Sequence, residues 1–187
     1  MKLNMGCGHN KIDGYVNVDL SPACNPDVVW DLEVFPWPWD DDSVDAVRFH
    51  HSLEHIGETT RAFLGVMKEL YRICCDGAQI EIAVPHPRHE TFISDPTHVR
   101  IITPGLLTNF DREWNDRCKE MGASNTPLAH YLNVDFKVVD YAAALAEPYA
   151  SQAKRGELTD ATIQIIGREL NNVFEEYRIN VVARKTR

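Results

Sequence analysis

Two glycines and an aspartate near the start of the chain have the types and spacing of a nucleoside-binding site. A short apolar strand is predicted to end at Met5, before the turn Gly6-Cys7-Gly8, where the missing Cβ atoms let a ligand approach the backbone. A second predicted strand ends at Asp19, whose carboxylate can accept hydrogen bonds from both hydroxyls of a ribose. A dinucleotide is disfavoured, because Lys11 stands where a third glycine is expected and the acid follows sooner than the usual ~20 residues.

A polar loop supplies the candidate acid–base groups. It follows a predicted buried strand over 79–84 that ends at Pro85, so it lies at the carboxyl edge of the sheet, where open α/β sheets bind ligands. Imidazole titrates near neutral pH, which makes a histidine there a candidate general base. We predict His98, oriented by Asp95, as the catalytic pair and His86 as the second candidate. The alternative is that these residues are solvated or brace the loop.

The same loop also holds side chains of the types that divalent ions bind. They are His86, His89, Asp95 and His98. Two histidines spaced across a proline on a loop are a poor metal signature, so we predict no metal. We interpret Asp40-Asp41-Asp42 as a solvated loop. For Glu54 and His55, bracing the chain and touching a substrate both remain open.

Five pieces of the first half of the chain occur in a recognisable order. They are residues 3–20, Asp31-Leu32-Glu33, Phe35-Pro36-Trp37-Pro38-Trp39, residues 40–47 and His51-Ser52-Leu53-Glu54-His55-Ile56. With these pieces the sequence resembles the class I S-adenosylmethionine-dependent methyltransferases, as a small and compact member. The resemblance implies a Rossmann-like sheet, S-adenosylmethionine as the cofactor and methyl transfer as the activity.

The resemblance also implies a set of cofactor-binding residues. They are Gly6, Cys7, Gly8, Asp19, Leu20, Asp31, Leu32 and His50. The glycine turn would lie under the amino-acid part of the cofactor, with the Cys7 backbone free for hydrogen bonds, and the acid after the second strand would bind the ribose. Asp31 would meet the adenine amino group, and Leu32 would donate a backbone hydrogen bond to the ring. His50 and its neighbour His51 would face the methyl donor and acceptor.

Two features qualify this assignment. Asn4 stands where many class I enzymes carry an acid that holds the cofactor's ammonium group. Trp37 and Trp39 are open between two roles: lining the adenine site or the cleft, and packing at the edge of the core.

Length and composition bound the class of protein. The chain has 187 residues and a net charge of −9, so we expect one compact domain and no general affinity for nucleic acid, which needs a basic surface. We find no apolar run that would span a bilayer and no signal peptide, and we expect a cytoplasmic protein with no membrane partner. The five cysteines are expected to be reduced thiols.

The elements that must position these residues alternate between strands and helices. With the resemblance, this predicts an α/β fold with a single Rossmann-like class I methyltransferase sheet, mostly parallel, whose last strand is antiparallel. Helices are predicted from Thr59 or Thr60 to Gly77, over 104–110 and over 159–174, strands over 134–141 and 176–185, an irregular segment over 111–131 and a long connection over 142–158. We assign 1–84 to a cofactor-binding half and 85–187 to substrate-side loops and C-terminal strands.

These observations predict methyl transfer from S-adenosylmethionine to a small-molecule acceptor, with oxygen slightly preferred over nitrogen. The alternative is a catalytically silent S-adenosylmethionine-binding module that supports a partner enzyme. A nicotinamide-dependent oxidoreductase is disfavoured by the missing glycine and the short run to Asp19. No motif sets the identity of the acceptor or the oligomeric state.

Overall fold

The chain forms one seven-stranded sheet in a computed structural model that describes residues 1–185. The strands are β1 (Lys2–Met5), β2 (Val16–Asp19), β3 (Val28–Val29), β4 (Val44–His50), β5 (Cys74–Pro85), β6 (Phe136–Leu145) and β7 (Phe174–Ala183). Neighbouring strands from β3 to β5 are parallel, and β7 runs antiparallel to β5 and β6. The predicted fold class is confirmed. Residues 186–187 of the predicted substrate-side half lie outside the described residues.

The strand order reverses in the middle of the sheet. The order is β3-β2-β1-β4-β5-β7-β6, so the chain moves outward in one direction from β1 and in the other direction from β4. The carboxyl ends of strands at such a reversal border a crevice in open α/β sheets. The turn after β1 and the turn after β4 therefore meet at one place.

Helices and short turns connect the strands. They are α1 (Thr60–Ile73), α2 (Glu90–Ile93), α3 (Pro104–Thr108), α4 (Arg112–Glu120), α5 (Leu128–Leu132), α6 (Tyr149–Lys154), α7 (Asp160–Glu169) and the 3-10 turns Pro22–Cys24 and Leu53–His55. In the part of the chain that the structure describes, no helix is both long enough and apolar enough to cross a bilayer.

The first helix begins as predicted. Thr59 Oγ1 accepts a hydrogen bond from Ala62 N at 3.1 Å and caps α1. Its buried face is formed by Phe63, Val66, Met67, Leu70 and Ile73. These side chains share one core with Phe49 of β4 and Ile80 of β5. The helix α1 therefore packs against the sheet at β4 and β5.

The end of this helix was predicted wrongly. The sequence predicted a stop near Gly77, but α1 ends at Ile73 and β5 begins at Cys74. Cys74 pairs with Val44 of β4, and the register between the two strands shifts just beyond this pair. Gly77 has a φ of +80° within β5, so this glycine allows an irregularity in a strand and does not end a helix.

The C-terminal half also differs from the prediction. The segment 111–131, predicted as irregular, contains α4 and most of α5, and Asp111 caps α4 by accepting from Trp114 N at 3.2 Å. The connection predicted over 142–158 contains the end of β6 and all of α6, while α7 is shorter than predicted. The helix α4 was missed because it is mostly polar, and its buried side chains are those of Asn115 and Cys118.

A polar network that runs from buried Asn4 and Asn17 to the surface joins β1, β2 and the loop before β3. Asn4 Nδ2 donates to Asn17 Oδ1 at 2.9 Å and to Asn10 O at 3.0 Å. Asn17 donates its backbone N–H and its Nδ2–H to Asp27 Oδ2 at 2.8 and 2.7 Å. Lys11 Nζ lies 3.1 Å from Asp27 Oδ1. The amide of Asn4 therefore braces the loop that follows the glycine turn.

This network predicts a pH-dependent stability. The backbone and side-chain hydrogen bonds from Asn17, with Lys11, lower the pKa of Asp27 to about 2. Because the folded pKa lies below the unfolded value of about 4, the carboxylate stabilises the fold fully above that value and loses its effect as the pH falls toward 2. We expect Asp27→Asn to lower the thermal midpoint at pH 7 and the difference from wild type to shrink between pH 4 and pH 2, as followed by circular dichroism.

Asp13→Asn is the matched control, because Asp13 is an exposed aspartate in the neighbouring loop between β1 and β2. Its midpoint should follow that of the wild type at every pH. A difference for Asp27→Asn that stays constant down to pH 2 would contradict the role assigned to the ionised carboxylate.

Candidate functional site

A cavity of about 440 Å³ opens at the carboxyl ends of β1 to β4. It lies where the strand order reverses, and the turn after each of these strands contributes to its wall. The lining residues are Gly6, Gly8, Asp19, Leu20, Cys24, Trp30, Asp31, Leu32, Glu33, His51, Ser52, His55 and Ile56. Of the predicted cofactor-binding residues, the structure brings together both glycines, both aspartates and both leucines.

The glycine turn forms the floor of the cavity at the end of β1. Gly6 has a φ of +66° and Gly8 a φ of +51°, values that favour glycine. A Cβ atom added at Gly6 would lie 2.4 Å from Ser52 Cβ, whereas one added at Gly8 would have no atom of residues 1–185 within 4 Å. Gly6 is therefore required for contact between two turns of the protein, and Gly8 leaves space that a ligand can fill.

The structure corrects the prediction for Cys7. Its backbone N–H donates to Val18 O at 2.9 Å, and its carbonyl oxygen accepts from Asn10 N at 2.9 Å. The Cys7 side chain is buried. Both backbone groups of Cys7 thus bond within the protein, because they close the turn between β1 and β2.

Asp19 bridges the glycine turn and the segment after β2. Its Oδ2 accepts from Gly8 N at 2.7 Å and its Oδ1 accepts from Ser21 N at 2.8 Å. A carboxylate oxygen has more than one lone pair, so each oxygen can accept a further hydrogen bond. The backbone thus fixes this carboxylate on the wall of the cavity.

Two more acids follow β3 on the same side of the cavity. Asp31 Oδ1 accepts from Glu33 N at 2.8 Å, and Glu33 Oε1 accepts from Gly57 N at 2.7 Å. The second bond ties the loop after β3 to the turn after β4. Leu32 is buried beside these acids, so the cavity combines an apolar surface with a negative field.

The two tryptophans belong to the core. Trp37 and Trp39 are buried in the hydrophobic cluster, with their rings edge to face and their centroids 6.1 Å apart. Trp37 Nε1 donates to Leu32 O at 3.0 Å. Of the two roles left open by the sequence, the structure supports packing at the core, from which Trp37 supports the cavity wall.

Both histidines at the end of β4 were expected to face the methyl donor and acceptor, but the structure places His51, and not His50, among the residues that line the cavity. His51 lines the cavity, whereas the predicted cofactor residue His50 lines a separate groove with Arg48 and Arg178. Successive residues of a strand point to opposite faces, and the chain turns at His51, whose φ is +51°. Burial, with the charges of His51 and Arg48, lowers the pKa of His50.

His51 is held by a partner from the far end of the chain. Its Nε2 lies 2.6 Å from Glu176 Oε2, and Arg178 Nε donates to Glu176 Oε1 at 2.6 Å. The Glu54 and Glu176 carboxylates raise the pKa of His51 in spite of its partial burial. Burial alone would raise the pKa of Glu176, but the bonds from Arg178 and His51 outweigh it and lower that pKa. No sequence motif indicated Glu176, because β7 reaches this edge through pairing with β5.

Solved structures share this architecture at low sequence identity. An S-adenosylmethionine-dependent methyltransferase from Archaeoglobus fulgidus superposes with a TM-score of 0.63 and 17% identity, over 98% of this chain and 85% of its own. One from Thermotoga maritima gives 0.55 and 14%, over 98% and 82%. The chain has the class I methyltransferase fold. The cyclase SpnF is also similar, with a TM-score of 0.56 and 12% identity over 99% of this chain and 75% of its own. No family model and no curated protein matches the sequence.

On this methyltransferase fold, the predicted catalytic pair does not form the expected contact. His98 Nε2 lies 3.8 Å from Asp95 Oδ2, which is too long for a hydrogen bond. His98 Nδ1 instead donates to Phe92 O at 2.9 Å. Asp95 Oδ1 accepts from the backbone and the hydroxyl of Thr97 at 2.8 and 2.6 Å, and these bonds lower the pKa of Asp95.

His86 has a packing role in the structure. Its ring is buried against Tyr177 and Phe174, with centroids 4.7 and 5.7 Å away, and its Nδ1 accepts from Arg88 N at 3.2 Å. Burial lowers its pKa. In the described chain, His86, Asp95 and His98 are not among the residues that line the cavity, so a direct catalytic role for them stays a prediction without support from this geometry.

The two glycines of the turn allow a matched test of the contact with Ser52. Alanine at either position places a side chain at positive φ, at a cost of about 1–2 kcal/mol. At Gly6 the added methyl group also overlaps Ser52, which adds about 1–3 kcal/mol. We expect Gly6→Ala to lower the free energy of unfolding in urea by more than Gly8→Ala. Equal losses would show that Ser52 yields without cost and that the close approach is not a constraint.

Proposed function

We propose that this protein is an S-adenosylmethionine-dependent methyltransferase that acts on a small-molecule acceptor, with oxygen slightly preferred over nitrogen. The observation that carries the proposal is the cavity at the reversal of strand order, where Asp19 and the open face of Gly8 lie together. Ligands of open α/β sheets bind at such a position.

The residues present fit this cofactor. The cavity volume of about 440 Å³ lies within the range of small-molecule sites, about 300–1,000 Å³. Carboxylates of Asp19, Asp31 and Glu33 line it, and they suit a ligand that carries hydroxyls, an amino group and the positive charge of a sulfonium. The space at Gly8 lets such a ligand approach the backbone.

In this proposal the residues keep most of their predicted roles. Asp19 binds the ribose, Asp31 meets the adenine amino group, and Leu32 donates its backbone N–H to the ring, while Leu20 forms an apolar wall. When bound, the cofactor supplies a methyl group that is already activated for transfer. The protein contributes alignment and exclusion of water, which account for much of the rate of such a reaction. Neither Asn4 nor Cys7 takes part, since both are bonded within the loop network.

In this proposal the acceptor binds on the β4 side of the cavity. His51, Ser52 and His55 line that side, while the acids follow β2 and β3. The bond to Glu176 fixes the ring of His51, so this ring can position an acceptor. His98 lies behind His55, which lines the cavity, and the centroids of the two rings are 4.6 Å apart. The division into a cofactor-binding half and a substrate-side half, and the cytoplasmic location, remain parts of the proposal.

A silent cofactor-binding module is the second candidate. The similarity to the cyclase SpnF shows that this fold also occurs in a protein named for an activity other than methyl transfer, so methyl transfer has to be tested directly. Formation of S-adenosylhomocysteine from S-adenosylmethionine with a panel of sugars, nucleotides and phenols separates the two. Turnover with any acceptor supports the enzyme, and cofactor binding without turnover across the panel supports the module.

The cofactor assignment predicts a specific effect of one substitution. We expect wild-type protein to bind S-adenosylhomocysteine in calorimetry and to be stabilised by it, by about 2.7 kcal/mol at a ligand concentration of 100 Kd. Asp19→Asn should weaken this binding by about 1.5–3 kcal/mol, because it removes charged hydrogen-bond acceptors from the ribose site.

Asp19 also holds Gly8 and Ser21, so the fold of the variant must be checked by circular dichroism. Asp13→Asn again serves as the control and should bind like the wild type. If the wild type shows neither heat nor stabilisation at millimolar ligand, the proposed function fails. If a folded Asp19→Asn variant binds as tightly as the wild type, the ribose assignment fails.

A further inference from the structure

The carboxylate of Glu54 is buried without a hydrogen bond. Glu54 lies in the 3-10 turn after β4, is 0% exposed, and has no hydrogen-bond partner for Oε1 or Oε2 among residues 1–185. Its nearest imidazole nitrogens are His51 Nδ1 at 3.7 Å and His98 Nε2 at 4.0 Å from Oε1. Both distances exceed a hydrogen bond. A buried carboxylate without hydrogen bonds is costly unless it is paired or coordinates a metal, and the two oxygens of Glu54 are free to accept a ligand.

Two histidines lie beside this carboxylate. One ligand atom each from Glu54, His55 and His98 lies within 4.8 Å of the other two. Metal–ligand bonds of about 2.0–2.2 Å to one ion require these atoms to close by about 1 Å. Rotations of the side chains can supply this movement, and the backbone turn and the loop that carry them need not rearrange.

The surroundings prepare His98 for coordination. A carbonyl oxygen can only accept, so His98 Nδ1 carries the proton that is donated to Phe92 O at 2.9 Å. A neutral ring then has its lone pair on Nε2, the atom that faces Glu54. The ring is also stacked on Phe92, with centroids 5.2 Å apart. A histidine that ligates a metal is typically fixed in this way through its other nitrogen.

His55 is fixed in a similar manner. The hydroxyl of Thr97 donates its proton to Asp95 Oδ1 at 2.6 Å, so it accepts from His55 Nδ1, which lies 2.9 Å away. Asp95 therefore orients His55 through Thr97 and does not orient His98. Val99 N and Arg100 N both donate to Glu54 O, at 3.0 and 3.1 Å, which fastens the loop to the turn that carries Glu54.

We propose that Glu54, His55 and His98 form a binding site for a divalent first-row transition metal ion at the edge of the cavity. Two imidazoles and one carboxylate favour ions such as Mn²⁺, Fe²⁺ or Zn²⁺ over Mg²⁺ and Ca²⁺, which prefer oxygen ligands. His55 lines the cavity, so the remaining coordination positions face the proposed acceptor side. An oxygen-bearing acceptor would bind the ion there, and this last step alone rests on the proposed function. The site replaces the earlier expectation of no metal.

Manganese is the probe of choice, because the chain has free cysteines and thiolates prefer softer ions. We expect calorimetry and Mn²⁺ electron paramagnetic resonance to detect one tightly bound ion per chain. Glu54→Gln and His98→Ala should each weaken binding by at least about tenfold. Mn²⁺ should raise the thermal midpoint of the wild type and leave that of Glu54→Gln unchanged.

Two histidine variants serve as controls. His130→Ala removes an exposed histidine that pairs with Asp116 at 2.8 Å, and it should bind Mn²⁺ like the wild type. His50→Ala tests the other cluster with metal-ligating side chains, formed by His50, His51 and Glu176, and should also leave binding unchanged. In metal-free buffer Glu54→Gln should be about as stable as the wild type, because the carboxylate it removes is buried and has no hydrogen-bond partner among the described residues.

The proposal is overturned if the wild type binds neither Mn²⁺ nor Zn²⁺, if Glu54→Gln binds as tightly as the wild type, or if His50→Ala abolishes binding. Titration with S-adenosylhomocysteine in the presence of a chelator keeps the two proposals separate. Binding of this ligand without any metal binding leaves the proposed function intact, and metal binding without it leaves the metal site intact.

Discussion

The close approach of Gly6 to Ser52 is the constraint on which the cavity depends. A Cβ atom at Gly6 would lie 2.4 Å from that of Ser52, and Ser52 Oγ donates to Met5 O at 2.8 Å. This contact joins the end of β1 to the turn after β4, the two strands between which the strand order reverses. With the turns held together, Gly8 and His51 face one space.

Hydrogen bonds between side chains and the backbone of the turns then fix the walls of the cavity. Asp19 accepts a hydrogen bond from Gly8 N, and Glu33 accepts one from Gly57 N. Each bond satisfies a polar group in a turn, where the backbone lacks partners from regular secondary structure. The same side chains that line the cavity therefore also fix its shape, so their substitution affects both stability and binding.

A second set of contacts explains the polar loop after β5. The loop is fastened to Glu54 O through Val99 N and Arg100 N, and Arg100 also donates to Gly57 O. Asp95 acts on His55 through Thr97. Within this loop His98 faces the buried Glu54 carboxylate, and Asp95 is connected to the cavity wall through Thr97 and His55.

The sequence by itself determined the features encoded over a few neighbouring residues. These are the glycine turn, the acid after β2 and the start and buried face of α1, because periodicity, capping and turn residues act locally. The class of the sheet followed from the order of five such pieces along the chain and from the resemblance that they carry. The sequence did not determine the end of α1, where pairing with β4 overrides helix periodicity. Only the tertiary structure decided that His51 faces the cavity, that Glu176 holds it from 125 residues away, and that His98 faces Glu54. Such contacts depend on how strands and loops pack, and spacing along the chain does not encode them.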